Sequence, residues 1–216
     1  MEIAEGVQMS KQKVVMFDFD GVIADSFNIF FTEFTRACEE LGFHKLNSKE
    51  VLLSLFDGNL ILSLFKLGFP PWKLRELFQK FQPRIAEANS RVKPFDGIKE
   101  TLEDISRTYP TYIISSNLSE AVRNFLTRES INGIQDILGA DVETSKVKKI
   151  KQISKKHPNH KPYYIGDTCG DIKEGREANA ITVAVTWGWH SKERLLKSNP
   201  DYIVDTPEEL RELLLS

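Results

Sequence analysis

Val14-Val15-Met16-Phe17-Asp18-Phe19-Asp20-Gly21-Val22-Ile23-Ala24-Asp25-Ser26 is the stretch against which the remainder of the chain is read. An apolar run stops abruptly at two carboxylates and a glycine. A short run of this kind suits a strand buried on both faces. Asp18 and Asp20 then sit at the C-terminal end of that strand, the edge where open parallel sheets bind ligands. Taken alone, D-x-D-G also suits a plain turn, because Asp and Gly dominate turns. What separates the two readings lies further along the chain.

The 216 residues suffice for a full core in one or two domains. A formal charge of −2 gives no overall attraction for nucleic acid or an anionic membrane, so neither is expected as a partner. A negatively charged substrate must be met by local donors. The first thirteen residues hold Glu2, Glu5, Lys11 and Lys13 and no long apolar stretch. No segment approaches the ~18 continuous apolar residues of a membrane span, and the expectation is a soluble, cytoplasmic protein. Cys38 and Cys169 lie far apart with neither zinc-type nor C-x-x-C spacing, which argues against a disulfide framework or a thiol pair. Nothing in the sequence specifies an oligomeric state.

After Asp25 the composition turns to aromatic helix. Ser26 is placed to cap a segment over 27–41, where Phe27, Phe30, Phe31, Phe34, Ala37, Cys38 and Leu41 recur at helical spacing. Asn47-Ser48-Lys49-Glu50 resembles a capping box for a second helix, and Asp57-Gly58-Asn59 reads as a turn before a third. Pro70-Pro71 is expected to open a fourth helix, kinked or divided at Pro83. Ten of the fourteen phenylalanines fall between Phe27 and Phe81, which predicts a helical unit with its own apolar core.

From Arg91 onward short apolar runs alternate with amphipathic helices, the pattern of a parallel α/β sheet. Tyr112-Ile113-Ile114 runs into Ser115-Ser116-Asn117, and Tyr163-Tyr164-Ile165 runs into Gly166-Asp167-Thr168-Cys169-Gly170-Asp171. Ser119 is expected to cap the helix after the first of these strands. Residues 181–185 and 201–204 read as further strands, and Thr206-Pro207-Glu208-Glu209 as the start of the last helix. Three strands therefore end in polar groups along one sheet edge: Asp18 and Asp20, Ser116 and Asn117, Asp167 and Asp171. Four carboxylates in one cleft repel one another and drive pKa values upward unless a cation intervenes. A divalent metal with oxygen ligands resolves this, and magnesium suits carboxylates, water and phosphate together.

These motifs resemble the haloacid dehalogenase superfamily, in particular its small-molecule branch of phosphoglycolate phosphatase and β-phosphoglucomutase type. The resemblance spans nearly the whole chain: residues 18–26 are similar to the first motif, 114–117 to the second, Lys146 to the third and 166–171 to the fourth. It implies a doubly wound, Rossmann-like α/β core over 1–24 and 92–216, with a small α-helical cap over 25–91. It implies a magnesium-dependent phosphatase acting on a small phosphorylated metabolite, with Asp18 as nucleophile and Asp20 as general acid and base. By the same resemblance Asp18, the Asp20 carbonyl and Asp167 hold Mg2+, with Asp171 acting through water, while Gly21, Ser116, Asn117 and Lys146 serve the phosphate. A phosphomutase of the β-phosphoglucomutase kind and a catalytically retired binding protein are the alternatives. Asp57-Gly58-Asn59, where the mutase carries a basic residue, favours the phosphatase.

Lys146 stands among Lys148, Lys149, Lys151, Lys155 and Lys156, and a charge run on a helix is usually a solvated face. Lys146 is set apart by its place at the helix start, although the proline that often follows this lysine in the family is absent; the other five are read as solvated. Cys169 has no evident histidine partner in the sequence, and His190 reads as a surface or supporting residue.

Overall fold

The computed structural model describes residues 12–216, so the expectations for the first eleven residues lie outside it. Six strands, β1 (Lys13–Asp18), β2 (Thr111–Ile114), β3 (Asp136–Leu138), β4 (Lys161–Gly166), β5 (Ile181–Val185) and β6 (Tyr202–Val204), form one sheet. Their order is β3-β2-β1-β4-β5-β6 and every pairing is parallel. This is the doubly wound arrangement, with β1 at its centre. Val14, Val15, Met16 and Phe17 are all fully buried, as a central strand covered on both faces requires. Alternate residues serve opposite faces: Val15 and Phe17 join one apolar cluster with Ile113 and Ile165, while Val14 and Met16 join another with Ile114 and Tyr164.

Register decides what the edge presents. Asp18 pairs with Ile114 and Phe17 with Ile165, so the loops opening at Asp18, Ser115 and Asp167 start at nearly one level.

Between β1 and β2 the chain forms helices α1 (Phe27–Glu40), α2 (Lys49–Ser54), α3 (Leu60–Lys66) and α4 (Leu74–Ala88). They surround an apolar cluster of their own, including Phe34, Leu52, Leu64, Phe69, Leu77 and Phe81. The chain leaves and re-enters the sheet layer at adjacent points: the Asp25 amide donates to the Lys93 carbonyl and the Phe95 amide to the Ile23 carbonyl, both near 3 Å. Ser48 and Asn59 cap α2 and α3 by accepting from the Val51 and Leu62 amides.

Several local expectations change. Ser26 stands at the start of α1, but its side chain does not cap the helix; its hydroxyl instead lowers the Asp20 carboxyl against the larger upward push of burial. Pro70 and Pro71 lead into a separate 3-10 turn (Pro71–Lys73), while α4 continues unbroken past Pro83. Proline removes one donor at that point, and the buried face carrying Leu77 and Phe81 keeps the helix whole. After the sheet resumes come α5 (Ile98–Thr108), α6 (Ser119–Arg128), α7 (Lys146–Lys156), α8 (Cys169–Glu177), α9 (Lys192–Leu196) and α10 (Pro207–Leu215). Ser119 is the first residue of α6 and not its cap; its hydroxyl instead donates to Asp141 and accepts from the Gly139 amide. The five-residue α9 is too short to leave a periodic signature in the sequence.

Candidate active site

The turn after β1 brings Asp18 and Asp20 to the sheet edge. Asp18 Oδ1 accepts from the Phe19 amide at 2.8 Å, and Oδ2 accepts from Lys146 Nζ at 2.7 Å. Lys146 is the first residue of α7, whose N-terminus is capped by Ser145, and its ammonium also donates to Asp171 Oδ1 at 2.7 Å. Burial opposes the charged ammonium, but Asp171 and Asp18 outweigh it and hold Lys146 well above the ordinary lysine range.

Asp171 occupies the third position of α8 and closes a capping box with Thr168. Its Oδ1 takes Lys146 and the Tyr164 hydroxyl, while Oδ2 takes the Thr168 amide and hydroxyl. Those four bonds use the roughly four acceptor positions of a carboxylate. Burial alone would raise this carboxyl, yet Lys146 and Thr168 keep it below its ordinary value. Asp167 differs. It is 1 % exposed, its Oδ2 accepts from the Trp189 amide at 2.7 Å, and its Oδ1 has no partner among the described residues. Burial, reinforced by the Asp171 and Asp18 carboxylates, pushes Asp167 well above the usual range. Burial does the same to Asp18, partly opposed by Lys146.

Asp18, Asp167 and Asp171 each offer an oxygen within 4.8 Å of the others, and Lys146 is the ammonium that bonds two of them. A buried, unpartnered carboxylate oxygen and an excess of negative charge fit a divalent cation with oxygen ligands.

On the opposite side, Asn117 Nδ2 donates to Asp20 Oδ2 at 2.7 Å, and loss of hydration raises the Asp20 carboxyl. The Asn117 amide is taken by Ser115 Oγ at 3.0 Å, so Asn117 faces Asp20 with its side chain and the loop with its backbone. Ser116 is exposed, and neither its amide nor its hydroxyl has a partner among the described residues. Gly21 adopts φ +77°, and a Cβ there would lie 1.9 Å from Asp167 Oδ2. Its place is thus a close approach beneath Asp167. Gly21→Ala should lower stability by at least the ~1–2 kcal/mol of a left-handed non-glycine residue, more if Asp167 must shift; unchanged denaturant unfolding would show that the turn relaxes freely.

Residues 15–185 match the haloacid dehalogenase-like hydrolase family. The chain belongs to that family. This haloacid dehalogenase-like hydrolase is 25% identical over 204 residues to a phosphoglycolate phosphatase from Synechococcus elongatus, covering 92% of this chain and 95% of that one. It is 24% identical to a pyrophosphatase from Oceanobacillus iheyensis, covering 92% and 94%. A haloacid dehalogenase-like hydrolase from Streptococcus pneumoniae superposes with a TM-score of 0.81 at 26% identity, covering 95% and 99%.

Lys149 departs from the sequence reading, and His190 departs from its surface alternative. Lys149, taken there as solvated, is 0 % exposed and donates to the Ser115 carbonyl at 2.6 Å. The signal was present in the spacing: Lys146 and Lys149 stand three apart, on the stripe that also carries Ile150 and Ile153. His190, read as a surface or supporting residue, is 1 % exposed. Its Nδ1 accepts from the Cys169 amide, so the proton sits on Nε2, which donates to the Leu53 carbonyl of the helical layer at 2.9 Å.

Further contacts join the same surfaces. Arg194 forms a two-pronged pair with Asp57 at 2.8 and 2.6 Å, Lys173 reaches the Asp57 carbonyl, and the Trp189 ring packs on Phe27, Phe30 and Phe56. Asp57, Cys169 and His190 approach one another closely, but the Asp57 carboxylate is engaged by Arg194 and both His190 nitrogens are bonded. Burial raises the Cys169 thiol, which removes the thiolate that a cysteine nucleophile needs. Among the described residues no helix is long and apolar enough to cross a membrane.

Proposed function

We propose that this hydrolase cleaves small phosphate monoesters through a phosphoryl group carried on Asp18. The observation that carries this reading is the single ammonium of Lys146 bridging Asp18 and Asp171 at 2.7 Å, next to the unpartnered oxygen of Asp167. The names of the phosphoglycolate phosphatase relatives support it.

In the first step an Asp18 carboxylate oxygen attacks phosphorus, the bond from phosphorus to the ester oxygen breaks, and Asp20 delivers its proton to the departing alkoxide. A carboxyl raised by loss of hydration, and held in place by Asn117, suits that role. In the second step Asp20 accepts a proton from water as the water oxygen attacks phosphorus and the bond to Asp18 breaks. The free Ser116 amide and hydroxyl are the donors proposed for the phosphoryl oxygens, with Lys146 opposing the charge that builds on them. Asp171 positions Lys146, and Gly21 makes room for Asp167. Asp18, Asp167 and the Asp20 backbone carbonyl would hold Mg2+. When bound, the ion supplies positive charge that lowers the repulsion between a carboxylate and a phosphate dianion.

Residues 25–91 are proposed as a cap that excludes bulk water and selects the substrate, held to the sheet layer by Asp57–Arg194 and His190–Leu53. Asp57 turns toward Arg194 and adds no basic group to the cleft, which favours a phosphatase over a mutase. The pyrophosphatase relatives favour one second reading, with inorganic pyrophosphate as substrate.

Turnover of an aryl phosphate, 2-phosphoglycolate and pyrophosphate with magnesium, repeated in excess chelator, tests both. We expect monoester hydrolysis that is lost in chelator and restored by magnesium. Hydrolysis of pyrophosphate alone would transfer the assignment to the second reading, and full activity in chelator would remove the metal from it.

A further inference from the structure

We infer that Lys149 is a positioning residue for the phosphoryl-binding loop, acting through the Ser115–Ser116 peptide. The inference rests on the phosphatase reading and deepens it. Lys149 lies one turn beyond Lys146 on α7, and both lysines project toward the same sheet edge. Their targets differ: Lys146 meets carboxylates of β1 and α8, whereas Lys149 donates to a backbone carbonyl, that of Ser115, at 2.6 Å.

A lysine that is 0 % exposed is costly to bury, and nothing about packing alone requires one where leucine or methionine would fit. The geometry gives the charge a use. Ser115 C=O and Ser116 N–H belong to one planar trans peptide and point in opposite directions. A cation fixed on the carbonyl end sets the rotation of that plane and draws electron density toward the oxygen, which makes the N–H at the other end a stronger donor. Among the described residues that N–H has no partner, whereas the Asn117 amide is already taken by Ser115 Oγ. Burial, with the neighbouring Lys146 ammonium, brings Lys149 down to about 8, while Asp18, Asp141 and Glu143 favour its charged form. Lys149 thus remains mostly charged at neutral pH.

The test compares wild type, Lys149→Met, Lys149→Arg and the exposed control Lys151→Ala, all with magnesium. Inorganic phosphate is the probe for binding, and an aryl phosphate reports kcat and KM. Proton–nitrogen spectra follow the Ser116 amide on addition of phosphate. We expect Lys149→Met to remain folded, to bind phosphate at least about tenfold more weakly, and to lose kcat/KM by a similar factor. The Ser116 amide shift seen in wild type should shrink in Lys149→Met, and Lys149→Arg, which keeps the cation, should recover part of the loss. Should Lys149→Met fail to fold, Lys149→Gln, neutral but able to donate to Ser115, carries the same comparison.

A folded Lys149→Met with phosphate affinity and Ser116 shift within twofold of wild type overturns the inference and leaves the phosphatase reading intact. Wild type that binds phosphate at Ser116 without hydrolysing any monoester overturns the phosphatase reading instead, while the binding comparison still judges Lys149.

Discussion

Asp18→Asn is expected to reduce hydrolysis of any monoester to background while leaving the fold intact. The amide matches the carboxylate in shape, so its oxygen can still accept from the Phe19 amide, and Lys146 keeps its bond to Asp171. What disappears is the nucleophile and one negative charge from a cluster where Asp18, Asp167 and Asp171 crowd together. Relief of that repulsion is offset by the amide nitrogen now facing the Lys146 ammonium where Oδ2 accepted from it, so the metal-free variant should stay within about 1 kcal/mol of wild type. Thermal unfolding in chelator beside a turnover assay checks both halves. Turnover above about 1% of wild type would remove Asp18 from the covalent step.

The second large effect concerns Lys146. Losing one charged donor from a site poor in water costs about 3–4 kcal/mol of transition-state stabilisation, or roughly 10²–10³ in rate. The structure adds a stability term that the helix start alone does not suggest. Lys146 has a side chain 13 % exposed and neutralises two buried carboxylates. Removing one partner of such a buried pair costs about 3–5 kcal/mol. Lys146→Ala should therefore be both nearly inactive and less stable, measured by kcat and by denaturant unfolding. Lys151→Ala, on the exposed face of the same helix, should hold turnover within about twofold. Equal behaviour of the two variants would mean that the bridge to Asp18 has no role in the chemistry.

The centre of the sheet was legible because three of its strands are apolar runs that each end in a chemically distinct group. Parallel pairing then delivers Asp18, Ser116 and Asp167 to one edge from three separate parts of the sequence. Lys146 was legible from its place at the helix start. Lys149 was half legible: its spacing puts it on the apolar stripe, but in a lysine-rich stretch charge masks that stripe, and the partner across the fold, Ser115, decides its burial. For His190 only the surface half of the reading is corrected, for a related reason: its partner Leu53 lies 137 residues away, in a layer whose orientation no local pattern specifies. Ser119 obeyed a local capping preference on paper, but Asp141 competes for its hydroxyl in space. Asn117 was placed correctly at the edge, and its bond to Asp20 emerged only from geometry.

The most direct test of the account is the location of the phosphoryl group during turnover. Enzyme mixed with a monoester and magnesium is quenched in acid within milliseconds, digested at low pH and mapped by mass spectrometry. The account predicts a phosphorylated peptide with the modification on Asp18, chased away by further incubation before quenching and absent from Asp18→Asn. Phosphate mapped to any other residue, or full turnover with no phosphopeptide while burst kinetics show that an intermediate accumulates, would contradict it.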